Sequence, residues 1–223
     1  MNFFEKLLIE TRASRESLVT IPIIQDCLQG SVALPAYIAF LREAYHHVSH
    51  TVPLMHACRA RLPARLGWML APIDEYIEEE TGHDAWILND LRALGQDADT
   101  IRLAGPGPQT EVMVAYAYDM IARKNPMGFF GMVHVLEGTS VALALNAADQ
   151  IQQKLALPAS AFSYLRSHGT LDQEHTAHFA ELMNRLDDAG DQAAVVHAAN
   201  MFFGLYGAIF RALPRAQPQG EAA

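Results

Sequence analysis

The chain of 223 residues is short of cysteine, of clustered positive charge and of any strand-forming pattern. Two cysteines, Cys27 and Cys58, without Cys-x-x-Cys spacing, give no disulfide framework and no thiolate metal site. Lys and Arg number 16 against 25 Asp and Glu, a formal net charge of −9. Their scatter supplies no basic groove, which excludes nucleic acid as a partner. The opening residues, MNFFEKLLIETR, interleave charge with apolar side chains, unlike a secretory signal. The longest apolar runs are broken by charge or glycine before membrane-spanning length, so no membrane partner is expected. With 18% charged residues and little low-complexity sequence, disorder is excluded as well. The expectation is a soluble cytoplasmic protein with reduced thiols.

What is present is apolar residues, 51% of the chain, enough for one well-filled core. Valines and isoleucines recur at spacings of three and four rather than two, the helical period. Helical stretches are expected at roughly 2–12, 14–29, 34–61, 64–94, 108–123, 126–155, 159–187 and 190–212. AGPGPQT (104–110) cannot be helical, and KNPMGFFG (124–131) predicts a late or bent helix start. The predicted architecture is a single all-α domain over 1–213, a bundle of seven to eight helices, followed by a disordered tail, PRAQPQGEAA, from residue 214.

Ten histidines stand out, most of them in helical patterns beside carboxylates. Glu43 lies near the apolar stripe of Ile38, Leu41, Tyr45 and Val48. Glu80 and His83 are three apart, the spacing of one helix face, whereas Glu78 and Glu79 read as a solvated acidic face. Glu137 is the only acid between Asp119 and Asp149 and sits in an almost purely apolar run; burying it requires a positive partner. His168, Asp172 and His175, spaced four and then three, form one helical stripe. Four helices thus contribute a Glu, a Glu-x-x-His, a Glu, and an Asp-x-x-His preceded by a further His. That inventory suits two metal ions: carboxylates neutralise charge, and neutral imidazoles supply nitrogen. His46, His47, His50 and His178 read as surface residues or as supports for the ligands.

The stretches FLREAYHHV, EEETGHDAWILNDLRALG, NPMGFFGMVHVLEGTS and HGTLDQEHTAHF, spanning roughly 34 to 185, resemble the heme-oxygenase-like di-iron oxidases and oxygenases. These are relatives of the TenA (thiaminase II) and pyrroloquinoline-quinone synthase folds. His168 separates the pattern from ferritin-like bundles. The resemblance implies the fold, two iron ions (manganese being the alternative), and the ligands Glu43, Glu80, His83, Glu137, His168, Asp172 and His175. Some members place a carboxylate seven residues before the second-helix histidine, where this chain has Tyr76, so Glu80 takes that role. The activity implied is oxidation or oxygenation of a small amine- or carboxylate-bearing molecule by O2, with Arg42, Arg123 or Lys124 as anchors for a carboxylate. A homodimer is expected by analogy. Two rivals remain. One is a cofactor-free TenA-type hydrolase, which needs a cavity-facing cysteine where this chain carries Glu137. The other is a non-catalytic bundle that binds a metal or ligand.

Overall fold

Proline and glycine set where the helices begin and break. The computed structural model describes residues 1–215, except for the side chains of 170–174; of the expected tail, 216–223 lie outside the described residues. Helices α1 (Phe3–Glu10), α2 (Arg12–Val19) and α3 (Pro22–Leu28) come first, and the expected 14–29 stretch breaks ahead of Pro22, which opens α3. The 34–61 stretch parts at Ser49–His50 into α4 (Leu34–Val48) and α5 (Thr51–Arg61). The 64–94 stretch opens as a 3-10 segment, continues as α6 (Leu70–Glu80), and restarts as α7 (His83–Ala93). At that restart Gly82 has φ +92°, a left-handed conformation that glycine adopts without the steric cost of a Cβ. A short α8 (Ala98–Leu103) was not expected; Asp97 caps it by accepting from the Asp99 and Thr100 N–H groups. Then follow α9 (Pro108–Arg123), α10 (Phe129–Leu155), α11 (Ser163–Asn184) and α12 (Ala189–Ala212). The late start predicted near 125 is real: Pro126–Gly128 form a 3-10 turn ahead of α10. Among the described residues there is no strand, and the all-α expectation holds.

The long helix α10 is the spine of the fold and packs chiefly against α11 and α12. By length and composition α10, with its leading turn, and α12 could each cross a membrane, contrary to the expectation from the broken apolar runs. Half of the α10 window and 44% of that in α12 are buried within the fold. Their approach is very close at Gly131, where a Cβ would lie 2.6 Å from both Ala199 N and Val195 O. Two apolar clusters result, one around Phe130, Phe202 and Met69, the other around Tyr37, Leu91 and Phe162; Val32 and Phe40 pack against both.

Within the first cluster, the His134 ring stacks on Phe179 (centroids 6.0 Å apart, 20° between planes) and meets Phe4 and Phe203 edge-on. Its Nε2 is 3.4 Å from Thr11 Oγ1. Burial and, secondarily, Arg15 push its pKa down from 6.5 to about 4. The unfolded chain therefore binds a proton as the pH falls below 6.5 while the folded chain does not. This contribution to stability is complete above pH 6.5 and is lost as the pH falls to about 4. In His134→Phe, which keeps the ring packing, the urea midpoint should fall less steeply over that window than in the wild type. Equal slopes would mean that other groups carry the acid-side loss.

Candidate metal centre

Two carboxylates from other helices, Asp90 buried and Glu43 half-buried, brace the starts of α11 and α9. Phe162 precedes α11 without a capping side chain, leaving the first N–H groups of that helix without intrahelical partners. Asp90 of α7 meets them: its Oδ1 accepts from Ser163 N–H (2.8 Å) and its Oδ2 from Tyr164 N–H (2.9 Å), and the Ser163 hydroxyl donates to it as well. Asp90 is fully buried, and burial raises its pKa against those three hydrogen bonds. This clasp sets α11 against α7 and so His168 against His83. Close packing continues beside it, for a Cβ on Gly169 would lie 2.7 Å from Leu145 Cγ.

Glu80, the last residue of α6, and His83, the first of α7, do not share a helix face as their spacing suggested; they straddle the Thr81–Gly82 break. The break brings His83 Nδ1 to 3.1 Å from Glu80 Oε2. A proton on Nδ1 donates to that carboxylate and leaves Nε2 as the lone-pair atom, the arrangement seen in metal-binding histidines. The His83 ring stacks on Trp86 (4.0 Å, 23°), and His168 meets it edge-on (4.9 Å, 84°). Ligand atoms of Glu80, His83 and His168 all lie within 4.8 Å of one another, Glu80 and His83 buried and His168 partly so. Burial would raise the Glu80 pKa, but the His83 hydrogen bond and the charges of His168, His83 and His175 outweigh it and hold the carboxyl below its ordinary value.

Glu80 and His168 open onto a cavity of about 160 Å³ that Glu137 also lines. Three further expected ligands remain, His175, Asp172 and Glu43. His175 Nε2 is 3.3 Å from Glu79 Oε2, which gives the exposed Glu79 a partner, and its ring lies edge-on to Tyr76. The Asp172 side chain lies outside the described residues. Glu43 is not brought to the cluster. Both its oxygens accept from Gly107 N–H at 3.1 Å, and the Thr110 hydroxyl donates to it too. Gly107 has no side chain with which to cap α9, so Glu43 caps it across the bundle.

His47, read from sequence as a surface or supporting residue, is instead 2% exposed and lines the cavity. Its Nδ1 is buried without a hydrogen-bond partner among the described residues, and burial, with His168, His50 and His46, pushes its pKa down to about 3. The available signal was its place seven residues after Phe40, another cavity residue on α4. His50 points away, its Nδ1 3.0 Å from the Tyr118 hydroxyl. None of Arg42, Arg123 and Lys124 lines the cavity, and all three are exposed. Cys27 does line it, but burial pushes its thiol up to about 11, far from a thiolate at neutral pH.

A histidine–carboxylate cluster in the wall of an apolar cavity, inside an all-α bundle, defines a candidate metal-binding helical protein. Residues 38–207 match the model of a family described as iron-containing redox enzymes with a heme-oxygenase-like fold, and the chain belongs to that family. Similar solved structures show the same fold. A heme-oxygenase-like domain of unknown function from Shewanella denitrificans has TM-score 0.82 at 23% identity, with 94% of this chain and 90% of that one covered. A TenA homologue from P. horikoshii has TM-score 0.77 at 8% identity, with 94% and 97% covered. Heme oxygenase-1 of the cyanobacterium Synechocystis, in complex with heme, has TM-score 0.75 at 14% identity, with 94% and 91% covered. No curated protein sequence matches.

The two capping carboxylates separate structural from ligand roles. Glu43→Ala should cost about 1–2 kcal/mol of stability in thermal unfolding and leave the iron bound per chain unchanged; iron loss in the folded variant would restore Glu43 as a ligand. Asp90→Ala should cost more, about 2–3 kcal/mol, because buried N–H groups are left unpaired. It should also weaken iron binding through the displaced His168, which competition with a chelator would read.

Proposed function

We propose that the protein is an O2-activating non-heme di-iron oxidase or oxygenase acting on a small amine- or carboxylate-bearing molecule. The convergence of Glu80, His83 and His168 carries this reading. One carboxylate and two imidazoles from separate helices are the donor set of many non-heme Fe(II) oxygenases. The donors fit a first-row divalent ion, with manganese as the alternative to iron. Glu80, His83 and His168 would hold one ion; Glu137, Asp172 and His175 are the candidates for a second. Iron bound there supplies the electrons that reduce O2.

The chain's own residues do the rest. The Glu80–His83 hydrogen bond and the Trp86 stack orient the His83 ring. Asp90 holds His168 in register through α11. The apolar wall keeps water from the reacting end of the substrate. Neutral His47, its Nδ1 without a partner among the described residues, offers a hydrogen bond to a substrate head group. A homodimer in a reducing cytoplasm completes the reading, in which Cys27 and Cys58 stay as thiols.

The TenA-type hydrolase gains a thiol in the cavity, Cys27, but that thiol lacks activation. Anaerobic reconstitution with Fe(II) should give about two iron ions per chain. His168→Ala and His175→Ala should each lower that number, and reduced holoprotein should consume O2. Absence of stoichiometric iron in the wild type would overturn the proposal. Stoichiometric binding of added heme, with a Soret band, would replace it by heme chemistry, and activity abolished by Cys27→Ala with iron intact would favour the thiol hydrolase.

A further inference from the structure

The cavity wall follows α10 from Phe129 to Ile151, about 33 Å at the helical rise. A cavity whose lining runs so far along one helix and is mostly apolar suits an extended aliphatic chain better than a broad ring system. Its carboxylates and histidines are not spread evenly: Glu137 sits midway along the α10 run and shares the cavity with Glu80, His47 and His168. Beyond Leu143 the α10 wall is Ala144, Ala147 and Ile151, and α3 contributes Ile23, Ile24, Cys27 and Leu28. The C-terminal end of α3 lies beside this part of α10, since a Cβ on Gly30 would meet Gln150 Oε1 at 3.1 Å. Two small residues, Ala144 and Ala147, keep this arm open. Among the described residues no Lys or Arg lines the cavity, so nothing in the wall would neutralise an anion along its length.

We propose that the substrate is a long-chain aliphatic molecule with a small polar head. The head sits beside Glu80, His168 and His47, and the chain lies in the arm between α3 and the C-terminal half of α10. The placement of the head rests on the metal-centre reading; the chain site does not, because its walls are formed by the polypeptide alone. Affinity therefore comes from removing methylenes from water, and the length of the arm sets the longest chain accepted.

The test uses metal-free protein titrated calorimetrically with uncharged 1-alkanols from hexanol to decanol. Affinity should rise about fourfold per added methylene until the arm is full. Ala147→Leu narrows the arm and should weaken decanol more than hexanol, while its iron content after reconstitution matches the wild type. Affinity independent of chain length, or an equal loss for every alkanol in a variant with native helicity, would overturn the proposal. If the wild type bound no iron yet showed the rise with chain length, the metal reading would fall and the chain site would stand.

Discussion

Asp90 is the constraint on which the site depends. A carboxylate with no solvent access is costly unless its lone pairs are filled, and Asp90 is filled by two backbone N–H groups and a hydroxyl at the start of α11. The geometry admits little slack, because both oxygens are engaged. Two helices far apart in sequence are thereby locked in register, and the two histidines they carry meet edge-on. Glu43 joins α4 to α9 in the same way. In this fold, carboxylates from one helix complete the ends of another, and the candidate metal centre is assembled by that bracing.

The second feature is charge placed in an apolar wall. Glu80 is buried yet remains acidic because the His83 hydrogen bond and the charges of His168, His83 and His175 outweigh its burial. His47 is as deeply buried and stays neutral because burial opposes its protonation first and nearby histidines add to that. The cavity therefore presents a carboxylate at Glu80 and a neutral imidazole at His47 together at neutral pH.

Much of this was legible in the sequence. Glu137 stood out because a lone acid in an apolar run needs a reason, and it does line the cavity. Glu80, His83 and His168 were identified by residue type and spacing, although the spacing argument assumed one continuous helix. Gly82 breaks that helix, and the break produces the hydrogen bond. Asp90 lies within the EEETGHDAWILNDLRALG stretch, visible as part of a resemblance but silent about its work. Glu43 was misplaced because its partners, Gly107 and Thr110, are 64 and 67 residues away, and nothing local marks a carboxylate as the cap of a distant helix. His47 was undervalued because three histidines in five residues look interchangeable in a sequence, whereas the packing of α4 turns His47 inward and the break at Ser49–His50 sends His50 toward Tyr118.

The contact at Gly131 divides the cavity walls into unlike halves. Along α10 the backbone of α12 is so near that neither helix can shift without a collision, and each spans more than twenty residues. On the other side, α3 is a seven-residue helix bounded by a turn at Thr20–Ile21 and by Gly30 in a left-handed conformation. A helix that short draws its order from its neighbours rather than from its own hydrogen bonds, so any breathing of the cavity falls on α3. Guests of different girth would then be accommodated, and admitted, by displacement of this one small panel while the braced face stays still.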